Sequence, residues 1–198
     1  PSNRLPLPPH MKWQPRRLET ERLTIATIPP GRARQVADFY RRNRDFHRPW
    51  EPLRDESYFT HEFHKQVLKH QARDDSAIAF WLYLKADGRE ERIIGTVSFS
   101  NIIRGFFQSC FVGYKIDQLE INRGYTTEAL RRCVRYMFSE EGLHRVEANI
   151  MPANKPSLRV AEKAGVARQG VAKRYLRIQG KWEDHVHMVI LNGESNHY

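Results

Sequence analysis

The residues best suited to chemistry lie in one stretch. Gly113-Tyr114-Lys115-Ile116 is followed, after a short gap, by Asn122-Arg123-Gly124-Tyr125-Thr126, which opens a strongly amphipathic run. A loop that enters a helix presents main-chain N–H groups without intrahelical partners and the positive end of the helix dipole, so it suits an anion. Gly124, with no Cβ, lets the main chain come close to a pyrophosphate. The same residues also fit a plain strand–loop–helix connection that holds a glycine, and spacing alone leaves both readings open. Two carboxylates stand out downstream. Glu147 shares a strand face with Asn149, while Val146, Ala148 and Ile150 point the other way. Asp184 is in phase with Trp182, Val186, Met188 and Ile190, which predicts an apolar face for it, and a carboxylate there needs a partner.

The elements that must position these residues follow from periodicity and breakers. A short strand is predicted over 22–26 and a helix over 33–42 with Val36, Phe39 and Tyr40 on one face. Residues 45–55 break helix with two prolines and carry Phe46 and Trp50; a second helix is predicted over 60–73 with Phe63 and Val67 inward. Strands at 78–84, 93–101 and 106–116, separated by turns at Asp87-Gly88 and Arg104-Gly105, read as an antiparallel meander. Residues 127–140 form a helix with the stripe Leu130, Cys133, Val134, Met137 and Phe138, an opposite face bearing Arg131, Arg132 and Arg135, and Gly142 as its stop. A strand at 145–151 and a helix at 155–164 follow, with Pro156 in the helix's first turn and Gly165 at its end. The last element is a hairpin of 172–178 and 182–191 around Gln179-Gly180. A meander followed by a βαβ unit sets a helix N-terminus at the end of a central strand, which is an anion site.

Composition bounds the function. The 198 residues suffice for one domain, and no apolar run reaches the roughly 20 residues that span a bilayer. The proline-rich start lacks an apolar core of a signal peptide, so residues 1–18 are expected to be an extended arm, with Met11 as a possible native start and part of the preceding stretch foreign. Cys110 and Cys133 sit in apolar patterns without C-x-x-C spacing, which predicts small buried thiols in a reduced, cytoplasmic setting. The nine histidines lack metal-ligand spacing, so no metal is expected; His185 and His187 do not read as a zinc pair. A net charge of +10 favours anionic partners, among them nucleic acid, a phosphate-bearing cofactor or a ribosomal target.

Beyond these readings, the run GYKIDQLEINRGYTTEAL resembles the cofactor loop of the GNAT acetyltransferases, written Q/R-x-x-G-x-G/A, which binds the acetyl-CoA pyrophosphate. Ile121 stands where Gln or Arg is usual, Gly124 is kept, and Thr126 replaces the second small residue; main-chain amides do the binding, so the function is expected to survive. HRVEANIMPANKPSLRVAEKAGV resembles the next strand and helix of the family. NRDFHRPWEPLRDES, the turn SNIIRG and the ending GVAKRYLRIQGKWEDHVHM resemble its RimJ/RimL branch, which acetylates N-termini of ribosomal proteins. The likeness runs from about residue 19 to 191, so 19–198 is taken as one acetyltransferase domain.

The resemblance implies an α/β (α+β) fold with a mixed, mostly antiparallel central sheet splayed between two strands and flanked by helices. It implies acetyl-CoA as co-substrate, held by Tyr114, Lys115, Ile116, Asn122, Arg123, Gly124, Tyr125, Thr126, Asn154 and Ser157. The reaction would be direct attack of an amine on the thioester, with main-chain N–H groups around Tyr114–Ile116 stabilising the oxyanion. Ser157 would protonate the leaving thiolate, or simply serve the helix's first turn; Asn154 would contact pantetheine or cap the helix. Some relatives have a Glu at the position of Gln169, which leaves Glu147, Asp184 and Glu51 as candidate bases and Tyr175 as an orienting group. Phe46, Trp50, Glu51, Arg104 and Tyr175 would line the acceptor side. The expected acceptor is a protein N-terminus, ribosomal by resemblance, with ribosome or RNA near by and the chain either monomer or homodimer. The rivals are a small-molecule amine as acceptor, and a catalytically weak member that binds RNA or ribosome.

Overall fold

The computed structural model describes residues 15–193. In chain order they form β1 Arg17–Glu19, β2 Leu23–Ala26, α1 Ala33–Arg42, α2 Arg44–His47, α3 His61–Gln71, β3 Ile78–Leu84, β4 Gly95–Ile103, β5 Ser109–Ile116, α4 Tyr125–Ser139, β6 Arg145–Ile150, α5 Lys155–Lys163, β7 Ala167–Ile178 and β8 Lys181–Leu191. The predicted order holds with two additions: the strand β1, and the short helix α2 at the start of the 45–55 segment that was expected to break helix. The expected arm at 1–18 lies largely outside the described residues, but its end is β1, whose Leu18 is buried and pairs with Ile25.

All the strands join one sheet in the order β1-β2-β3-β4-β5-β6-β8-β7. Every neighbouring pair is antiparallel except β5 and β6, which the α4 crossover makes parallel. The two faces carry separate cores. One holds Val97, Phe99, Val146, Ala148, Met188 and Ile190 against the α4 stripe Leu130, Cys133, Val134 and Met137. The other packs Ala79, Trp81 and Tyr83 of β3 against Val36 and Phe39 of α1 and Leu68 of α3. This double cover is why β3 reads IAFWLYL, nearly continuous in apolar residues rather than alternating.

Helix α3 presents a different face from the one predicted. His64 and Leu68 are buried, whereas Phe63 is exposed and Val67 half-buried. The reason is aromatic packing: His64 stacks on Tyr40 at 4.9 Å and 10°, with Tyr58 edge-on at 5.2 Å. Both cysteines are free and buried, as expected, and burial pushes the Cys110 thiol up to about 12.

Candidate active site

The central feature is a gap between β5 and β6. They pair only at Ser109↔Arg145, Cys110↔Val146 and Phe111↔Glu147, after which they part. Each stays tied to its other neighbour: β5 to β4 as far as Gly95↔Ile116, and β6 to β8 as far as Ile150↔Val186. The result is a V whose walls are the main chain of residues 112–116 and 148–150. A strand pair opened this way leaves polar groups unpaired and calls for a ligand that can hydrogen-bond them.

The helix N-terminus sits where the chain leaves the open end of β5. Gly124 is the N-cap of α4 with φ +79°, and no side chain caps the helix. The first main-chain N–H recorded as bonded is that of Glu128, to Gly124 O at 3.1 Å. The amides of Gly124, Tyr125, Thr126 and Thr127 have no hydrogen-bond partner among the described residues. These are unsatisfied donors at a positive dipole end, as a pyrophosphate requires. A Cβ on Gly124 would meet Arg22 Nη2 at 3.4 Å in a backbone conformation that disfavours side chains.

Residues that sequence reasoning missed hold this loop. Arg22 donates to Arg123 O at 2.8 Å and to Glu128 Oε2 at 2.7 Å, and lies 4.6 Å above the Tyr125 ring. Asp117, its carboxylate almost wholly buried, accepts from Leu119 N at 3.0 Å and from Arg42 Nε at 2.6 Å, with Arg92 at 3.3 Å. Burial by itself would raise the Asp117 pKa; the Arg42 guanidinium and the Leu119 amide bring it below the ordinary aspartate range. Asn43 accepts from Gln118 N at 2.9 Å, and the His47 ring bonds Ile116 O at 2.8 Å. Apart from the local Leu119 amide and Arg92, these partners are 69 to 106 residues apart in sequence, so no local motif announces them.

Across the V, Tyr114 and Ser157 meet. Tyr114 Oη donates to Ser157 O at 2.8 Å, and Ser157 Oγ donates to Tyr114 Oη at 3.2 Å. Burial pushes the Tyr114 phenol up to about 12, so it stays protonated. Asn154 accepts from Ser157 N at 3.3 Å, a capping contact.

The opposite face of the V carries the polar set. Glu147 is buried, with Arg145 Nη1 at 2.5 Å and His187 Nδ1 at 2.7 Å. Burial opposes its ionisation, yet the Arg145 and His187 contacts hold its pKa below the ordinary carboxylate value. Tyr175 packs edge-on to His187 at 5.0 Å. Lys115 points to this face and makes a close ion contact with Glu51 at 2.5 Å. Glu51 O accepts from Gln179 N at 3.3 Å and Nε2 at 2.9 Å, which ties the 46–51 segment, with Phe46 and Trp50 each 37% exposed, to the β7–β8 turn.

Two predicted residues lie elsewhere. Arg104 lies in the β4–β5 turn, at the opposite end of β5 from the V, and clamps the end of α4 through Glu141 Oε2 at 2.9 Å and Glu141 O at 3.0 Å. Asp184 has the predicted phase, but β8 runs past the core there; its carboxylate is 34% exposed and bonds Lys173 Nζ at 2.8 Å and Arg174 N at 2.9 Å. Its role is to hold the bulge at 172–176 of β7, where Arg174 has φ +49°. Gln169 accepts from Arg145 at 3.4 Å on the surface. Among the described residues no cluster of His, Cys, Asp and Glu fits a metal ion.

A sheet splayed over a bare helix N-terminus, with a second helix meeting the open strand through paired hydroxyls, makes a cleft suited to a phosphate-bearing ligand with an extended, hydrogen-bonding arm. The family description "Acetyltransferase (GNAT) domain" matches residues 22–167, and the chain belongs to this N-acetyltransferase family, which makes it an acyl-group transferase. It is 40% identical over 181 residues to the [ribosomal protein uS5]-alanine N-acetyltransferase of Escherichia coli (strain K12), covering 86% of this chain and 88% of that one. The solved ribosomal-protein-S5-alanine acetyltransferase of Vibrio fischeri superposes with a TM-score of 0.83 at 35% identity, over 89% of this chain and 96% of that one. RimJ of Mycobacterium smegmatis, solved in complex with CoA-disulfide, gives 0.79 at 25% identity, over 87% and 83%.

Proposed function

We propose that this chain transfers the acetyl group of acetyl-CoA directly to the α-amino group of a protein N-terminus, that of a ribosomal protein, in the cytoplasm. The observation that carries this is the V between β5 and β6 opening onto the unpartnered amides of α4. Those amides fit a pyrophosphate, and the open main chain of 112–116 fits an extended, amide-bearing arm. The Escherichia coli and Vibrio fischeri relatives are named as alanine acetyltransferases of ribosomal protein S5, and the Mycobacterium smegmatis relative is solved in complex with CoA-disulfide. When bound, acetyl-CoA supplies the thioester whose carbonyl carbon is attacked.

The chain's own residues then have distinct tasks. Gly124, Tyr125, Thr126 and Asn122–Arg123 hold phosphate oxygens, chiefly by main-chain N–H groups. Main-chain N–H groups of 114–116 meet the developing oxyanion; each such donor contributes about 3 kcal/mol in comparable sites. The Ser157–Tyr114 hydroxyl pair returns a proton to the departing sulfur. Phe46, Trp50, Glu51 and Tyr175 border the acceptor side, where an α-ammonium meets carboxylate and aromatic surface together.

The test is calorimetric titration with acetyl-CoA, then thiol release with a panel of N-terminal peptides, including uS5-type alanine starts and α-blocked controls carrying free lysine. Binding with release only for free α-amines is expected. Release with lysine or polyamine alone would overturn the acceptor assignment, and absence of acetyl-CoA binding would overturn the reading altogether.

A further inference from the structure

Resting on that reading, we infer that His187, oriented by Glu147, is the group that takes the proton from the incoming amine. Glu147 itself is poorly placed for the task. Its side chain is 8% exposed, and its oxygens are engaged by Arg145 at 2.5 Å and His187 at 2.7 Å. A carboxylate held in this way has little affinity left for a proton. The His187 side chain is 26% exposed, so the imidazole and not the carboxylate meets what enters the groove.

Geometry assigns the atoms. The Nδ1–Glu147 contact fixes Nδ1 as the N–H donor, which leaves the Nε2 lone pair as acceptor. Nε2 makes no hydrogen bond among the described residues. The register places His187 opposite Asn149, two residues beyond the last β5–β6 pair at Phe111↔Glu147, so the ring stands where the V has opened. Asn149 Oδ1 is buried there without a partner, a second acceptor suited to an amine N–H. Tyr175, turned in by the β7 bulge, closes one side of the ring at 5.0 Å.

The step balances. The ammonium gives one proton to Nε2 and becomes a neutral amine. Its nitrogen bonds the thioester carbon; the C–S bond then breaks and the sulfur leaves with the electron pair. The nitrogen sheds its remaining surplus proton to water, the thiolate takes a proton from the Ser157–Tyr114 hydroxyl pair, and that pair is reprotonated from water. His187 returns its own proton to solvent, so one proton in all is released. The charged and titratable groups that face the ring are Glu147 on β6, itself paired with Arg145, and Tyr175 on β7, whose own ring also packs on His185 of β8.

The experiment compares wild type, His187→Gln and Glu147→Gln across pH 6 to 9.5, with an N-terminal peptide as acceptor. His187→Gln is expected to lower kcat at pH 7 by about 100-fold, within the range for loss of a general base. Acetyl-CoA affinity should be unchanged. The deficit should shrink above pH 8.5, where an α-amine, with a pKa near 8, is already neutral. Glu147→Gln, acting through the ring, should cost about tenfold with the same pH trend. In case His187→Gln does not fold, imidazole NMR of the wild type supplies a second measurement: the His187 titration midpoint should coincide with the inflection of kcat/KM. A His187→Gln kcat within twofold of wild type, a deficit constant across pH, or an NMR midpoint away from the kinetic inflection overturns the inference while the transferase stands. A wild type that acetylates no amine overturns both.

Discussion

Gly124 shows how much one residue decides. Its φ of +79° lies in the left-handed region that strains a side chain, and its own amide is among the unsatisfied donors. Gly124→Val should therefore act twice. It forces a β-branched residue into the left-handed region, at about 1–2 kcal/mol or more, and it moves the amides that face the phosphates. Acetyl-CoA affinity by calorimetry is expected to fall at least tenfold, with a smaller loss in melting temperature; an unchanged affinity would mean the donor lies elsewhere. Ser157 and Tyr114 make the complementary point. The serine stood out by its likeness to a family position, but the tyrosine that it bonds was expected to contribute main chain only. Its hydroxyl became visible once α5 was docked across the V.

At the scale of elements, the acceptor side is built from segments distant in sequence that one residue joins. Gln179, in the left-handed turn of the β7–β8 hairpin, reaches the Glu51 carbonyl with main chain and side chain, while Leu53 lies 3.6 Å from where a Gly180 Cβ would stand. Gln179→Ala removes the side-chain bond, worth about 1 kcal/mol, and loosens the wall that carries Phe46, Trp50 and Glu51. A several-fold rise in KM for the peptide, with acetyl-CoA affinity unchanged, is the expected outcome in steady-state kinetics. A change confined to acetyl-CoA would contradict this division of the site. Sequence phase placed Asp184 correctly by face and wrongly by environment, because alternation says which way a side chain points and not how far the opposing layer extends. Arg104 failed for a related reason: a turn residue's partner depends on which end of the sheet the turn occupies.

For the whole molecule, packing of the helical segments on the sheet leaves His47 and His64 buried. Burial holds His64 neutral down to about 4 and also lowers His47. An unfolded histidine binds its proton near 6.5. Between about 6.5 and 4 the unfolded chain therefore holds more protons than the fold, and stability falls as pH falls. The lowered carboxylates Asp117, Glu141 and Glu147 add a further loss below their ordinary range. Melting temperature is expected to decline from pH 7 to 4.5, and His64→Leu should flatten that decline. An equally steep curve in the variant would show that His64 is not a source of it.

What the sequence by itself determined was the element order, the α4 stripe, the glycine at the mouth of that helix and the family motif around it. These are encoded locally: hydrophobic period, breakers and a short loop signature all act within a few residues. What only the tertiary structure decided was the set of partners: Arg22 with Glu128, Asp117 with Arg42 and Arg92, Tyr114 with Ser157, and His187 with Glu147. Each pair joins elements far apart in the chain, and polar recognition depends on distance and direction at the ångström scale. Those are fixed by sheet register and helix docking, which no local pattern carries.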